Sequence, residues 1–145
     1  MIRELSPLLL LLSTPRFAQG QDHYRQQTDS LDTSIETVIS GGHWEANGTT
    51  GTYRIVVVSE GWEEVRQRVV VQWLVEDQAQ RDILIVKSAD LASVAESFWS
   101  FDEPKLWQRT GAWFLTVRTT AMPMSQPVGT LTVALGGPGR LSRAP

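Results

Sequence analysis

From Val65 to Glu76 the chain alternates with a period of two. Val65, Gln67, Val69, Val71, Trp73 and Val75 fall on one side; Arg66, Arg68, Val70, Gln72, Leu74 and Glu76 fall on the other. Successive side chains of an extended chain point to opposite faces, so this spacing is that of a strand and not of a helix. A nearly all-apolar side against a mixed one describes a long strand with one face in a core and the other partly covered. Thr52 to Val58 repeats the pattern, with Tyr53, Ile55 and Val57 opposed to Arg54, Val56 and Val58.

Turn residues set these strands side by side. Asn47-Gly48 is a hairpin turn and Gly51 closes its loop; Glu60-Gly61-Trp62 makes the next turn. Asp77 to Gln80 then leads into a short aliphatic strand, Ile83 to Val86. The connections are too short for crossover helices, so the neighbours form an antiparallel meander. Upstream, Ser34 to Ser40 offers a first strand that Gly41-Gly42 breaks.

Downstream, Asp90 to Glu96 is a helix candidate, capped by Asp90 and lined by Leu91, Val94 and Ala95. Leu106 to Arg109 and Trp113 to Thr120 form a hairpin about Thr110-Gly111. Met122 to Gln126 reads as a loop, and Val128 to Leu135 as the last long strand. Gly136 to Gly139 ends regular structure, apart from a stub at Arg140 to Ser142. The expected fold is all-β: a small antiparallel β-sandwich of six or seven strands with at most one short helix. A β-barrel is the alternative.

Residues 1–20 have the layout of a signal peptide: Arg3, an apolar run at Leu8 to Leu12, Pro15, and Ala18-Gln19-Gly20 with small residues at its outer positions. Cleavage after Gly20 suits that triplet; cleavage after Ala18 places Arg16 in the site. Residues 21–33 are a flexible polar lead-in, and 34–142 are a single β-domain. The expected location is periplasmic or secreted. The apolar run is far below the roughly 20 residues of a membrane-crossing helix. With no cysteine in the chain there is no lipid anchor, disulfide, thiol nucleophile or cysteine-based metal site. A cysteine-free exported domain fits a bacterial envelope better than a eukaryotic secretory pathway.

The formal charge is −3 over 145 residues. The leader, with Arg3, Glu4 and Arg16, carries one net positive charge, so the rest is more acidic still. An acidic domain without a basic run has no means of tracking a phosphate backbone, which argues against nucleic acid as a partner.

No reaction is assigned by a motif. The two histidines, His23 and His43, have no ligand partner at metal-binding spacing. No nucleophile elbow or phosphate-binding loop is present. Glu63-Glu64 and Asp102-Glu103 are adjacent pairs, which point to opposite faces of a strand instead of across a cleft. No catalytic residue, metal or cofactor is therefore expected.

Six tryptophans remain as the informative residues. Trp73 and Trp113 fit apolar strand faces. Trp44, Trp62, Trp99 and Trp107 lie in or near turns, where they fold back as lids or meet a partner. The expected binding residues are Phe98, Trp99 and Phe101, edged by Asp102, together with Trp44 and Trp62. The function expected is that of an exported, non-enzymatic binding or structural module of the envelope, its partner a protein or a glycan. The alternatives are a small-ligand or carbohydrate carrier and a hydrolase that uses His43 with a nearby carboxylate.

Overall fold

The computed structural model describes residues 31–63, 65–95, 98, 100–121 and 127–145, with backbone alone at 127 and 128. The leader, most of the lead-in, Trp99 and the 122–126 loop lie outside the described residues.

Eight strands follow in order: β1 Ile35–Ala46, β2 Thr49–Glu60, β3 Arg66–Asp77, β4 Asp82–Asp90, β5 Ser100–Arg109, β6 Ala112–Thr120, β7 Pro127–Leu135 and β8 Leu141–Arg143. They form two four-stranded antiparallel sheets, β1-β2-β3-β4 and β5-β6-β7-β8. Each sheet is a plain meander, with every strand bonded to its neighbours in sequence. The two pack as a sandwich; no barrel closes. The eighth strand is the three-residue stub after the glycine turn.

The core is where the alternation places it. Tyr53, Ile55 and Val57 of β2 and Val69, Val71 and Trp73 of β3 meet Leu115 and Val117 of β6 and Leu131, Val133 and Leu135 of β7. Phe101 of β5 completes the layer, with Leu91 beyond the end of β4. Burying such side chains contributes about 1.5–3 kcal/mol each, which is what holds the two sheets face to face.

Polar bolts fix the register between the sheets. The Trp73 Nε1–H donates to the Gly136 carbonyl at 2.8 Å. The Tyr53 hydroxyl donates to the same carbonyl at 3.0 Å and to that of Leu135 at 3.3 Å. The two rings meet edge to face at 6.2 Å. Both are core residues with a polar tip, and the tips need a partner once buried.

Two local expectations are corrected. Gly41-Gly42 does not break β1: the strand runs to Ala46 across an irregularity between Gly41 and Trp44, with Gly42 at φ 66°. An extra residue bulges out and pairing resumes. Of the helix expected over Asp90 to Glu96, the described residues form one 3-10 turn, Leu91–Val94, and Glu96 lies outside them. Asp90 caps it as expected, accepting from the Ala92 N–H at 2.8 Å. Leu91 anchors the turn in the core, and so short a helix has no cooperative stability of its own.

Candidate functional site

The β2–β3 hairpin carries Trp62 at its tip. Gly61, at φ 101°, makes the bend that lets the next residue leave the sheet. The Trp62 side chain is 100 % exposed, with Val65 and Glu63 open beside it. The base of the hairpin is paired: Arg66 donates to Glu60 from Nε and Nη2, at 3.1 and 3.0 Å. Ladder pairing from Glu60↔Arg66 to Thr52↔Leu74 continues without a break. A large ring thus stands in solvent at the end of a continuously paired ladder.

The other expected binding residues that are described, Trp44, Phe98 and Phe101, are not open beside it. Trp44 is buried at the far end of the same sheet, its Nε1–H donating to the Thr52 carbonyl at 3.2 Å. Ten residues separate Gly51 from Gly61, or roughly 33 Å of extended strand. Phe101 is a core residue, and half-buried Phe98 turns edge-on to it at 6.2 Å. The Arg143 guanidinium lies 6.0 Å from the Phe98 ring centre. Phe98 and Phe101 thus face the interior, because the chain crossing from one sheet to the other at this point needs apolar cover. Trp99 lies outside the described residues. Ser100 accepts from the Gln67 N–H at 2.9 Å, which sets this crossing at the Trp62 end of the sandwich.

A second aromatic feature arises on the outer face of β5-β6-β7-β8. Trp107 and Phe114 are cross-strand partners, stacked at 4.7 Å and 20°. The Trp107 Nε1–H donates to Thr116 Oγ1 at 2.9 Å, and Thr116 shares a 3.1 Å hydrogen bond with Thr132. Trp107 is 36 % exposed, and the next position across the sheet, opposite Phe114, is the short side chain of Ala134. The pair's signal in the sequence was a cross-strand partnership, visible only once the Thr110-Gly111 turn fixed the register.

His43 lines an open cavity of about 1040 Å³ together with Thr50, Thr52, Glu76, Arg81 and Asp82. Its ring contact is with the edge of Trp113, at 5.9 Å. Among the described residues no hydrogen bond ties it to Glu76 or Asp82, the carboxylates that share the cavity. No group of three or more metal-ligating side chains occurs among the described residues. No helix among them is long and apolar enough to cross a membrane.

Compared with protein-family models, curated proteins and solved structures, the chain matches none.

Proposed function

We propose that this chain is an exported binding module of the bacterial envelope or periplasm, not an enzyme, and that it grips a protein partner through Trp62. The observation that carries this reading is the fully exposed indole on a braced hairpin. Tryptophan anchors are among the side chains that concentrate binding energy when a partner pocket takes them up. Glu63 and Glu64 follow Trp62 in the sequence. The matching pocket is therefore apolar with a lysine or arginine rim, and association weakens as salt rises. Export is supported by Arg3, the leucine run and the Ala18-Gln19-Gly20 triplet.

Photocrosslinking tests the reading. A photoreactive residue at Glu63, in the producing cell, is expected to give a discrete protein adduct that Trp62→Ala removes. The same probe at Asn47 serves as the control. Trp62→Ala should leave stability within about 0.5 kcal/mol, since the ring touches no core. Adducts that persist in the alanine variant, or none from Glu63, would overturn it.

The stacked Trp107–Phe114 pair favours a second reading, a glycan platform. A flat, partly exposed indole beside Thr116 and Lys105 offers a stacking surface edged by hydrogen-bonding groups. Titration with a glycan panel should then shift the fluorescence of the protein and of Trp62→Ala but not of Trp107→Ala. A flat response across the panel removes this reading.

A further inference from the structure

A four-stranded open sheet has two edges, and an unpaired edge is a template for another strand unless something blunts it. Three of the four edges here are blunted. β1 is bent by its irregularity between Gly41 and Trp44. β5 contains Pro104 and an irregularity between Asp102 and Lys105, with Glu103 at φ 48°. β8 has three residues. β4 is different. It is nine residues long, bonds among the described residues only to β3, and carries four consecutive aliphatic side chains, Ile83 to Val86, each 44 to 62 % exposed.

These side chains are exposed on both faces of the strand. Ile83 and Ile85 pair with Glu76 and Leu74 on the outer face, while Leu84 pairs with Val75 on the face that continues the core. A polar strand laid alongside would satisfy the backbone and leave both rows of aliphatic groups in water. Another β4 brings matching aliphatic groups to both faces together.

Charge selects the direction. The irregularity between Ile85 and Lys87 shifts the alternation, so Asp82, opposite Asp77, and Lys87, opposite Trp73, share the inner face at opposite ends of the aliphatic run. In-register parallel stacking would set Asp82 against Asp82 and Lys87 against Lys87. An antiparallel pair brings the acidic end of each strand to the basic end of the other. Asp82 Oδ1 is engaged by the Ile83 N–H at 2.7 Å, which leaves Oδ2 for the lysine.

We propose that two copies of this chain associate through β4, antiparallel about a two-fold axis, joining their first sheets into one eight-stranded sheet. The assembly stops at two, because the far edge of each joined sheet is the bent β1. The interface is independent of Trp62.

Sedimentation velocity on the purified protein over a range of concentrations tests this. A reversible monomer–dimer equilibrium is expected. Ile85→Lys, which sets like charges into the joint, should give a monomer with an unchanged circular-dichroism spectrum. Asp82→Lys and Lys87→Asp should each weaken the dimer by roughly tenfold, two symmetry-related pairs being lost. The double exchange should restore it. Trp62→Ala should leave the dimer intact, so failure here and failure of the Trp62 reading are separable. A monomer at every concentration overturns the proposal. So does a dimer whose constant ignores both single exchanges, or one that the double exchange fails to recover.

Discussion

Thr110 has φ 49° and Gly111 φ 81°, both in the left-handed region that a two-residue hairpin demands. Glycine adopts it freely; a β-branched threonine is strained there. The equivalent turn between β1 and β2 uses Asn47 and Gly48, at 53° and 74°. Thr110→Asn should therefore stabilise the domain by about 1 kcal/mol, measured as a rise in the denaturation midpoint at unchanged slope. Gly51 behaves in the opposite way. A Cβ there would collide with the Leu74 carbonyl oxygen and lie 2.7 Å from the Trp44 ring. Backbone cannot yield cheaply, so Gly51→Ala should cost about 3 kcal/mol in the same assay. Tyr53 gives a pH signature. Burial raises its phenol from 10.0 to about 12. The unfolded chain releases that proton near pH 10, while the folded domain holds it until about pH 12. The phenol's contribution is thus full below pH 10 and lost as pH climbs through that window. Melting temperatures from pH 9 upward should fall more steeply for the natural protein than for Tyr53→Phe. A parallel decline would contradict the assignment.

At the scale of elements, Asp90 joins two of them. One carboxylate oxygen caps the 3-10 turn at Ala92, and the other pairs with the Arg68 guanidinium on β3. Arg68 also reaches Glu60 at 3.6 Å, and its Nε is buried without a hydrogen-bond partner. Removing Asp90 deprives the turn of its cap and the arginine of its best partner. Asp90→Ala should cost about 2 kcal/mol and Asp90→Asn, which keeps the cap, less than that. Equal losses in chemical denaturation would mean that the cap contributes nothing. β5 shows how an edge strand accommodates a proline. Pro104 falls within the irregularity, and Arg118 of β6 clamps the two residues before it, Asp102 at 2.8 and 2.7 Å and Glu103 at 3.0 Å. A proline lacks the N–H for a ladder bond, and at an edge that absence is tolerated.

For the whole molecule, the two sheets are successive meanders, so most pairing is between neighbours in sequence. The sandwich itself rests on the far longer-range meeting of β2 and β3 with β6 and β7. The bolts from Tyr53 and Trp73 to Gly136 span more than sixty residues. Such topologies fold slowly because the loop-closure entropy comes before the reward, so single-domain refolding in roughly milliseconds to seconds is expected by stopped-flow fluorescence. Trp73, at the centre of both the apolar layer and a bolt, should be a sensitive reporter. Trp73→Ala should cost about 3–5 kcal/mol, enough to unfold a marginal domain.

The amino-acid order alone determined the strands, their turns and their inward faces. Tyr53, Ile55, Val57, Val69, Val71 and Trp73 were legible as core because alternation is a local, backbone-imposed property. Asn47-Gly48, Thr110-Gly111 and the Asp90 cap were legible because a turn or a cap is settled within a few residues. Trp62 was legible as a turn residue, but not as the fully exposed one among the described tryptophans near turns. Exposure is decided by what the rest of the chain brings alongside. Trp44 and Phe101 carry the same apolar signal and are buried because the opposite sheet or a neighbouring loop closes over them. The aliphatic run of β4 makes the same point in reverse. Its composition is that of a core strand, yet at the end of a four-stranded row the described residues leave it about half exposed. Only the tertiary structure assigns such positions, since hydrophobicity belongs to a residue while burial belongs to its neighbours.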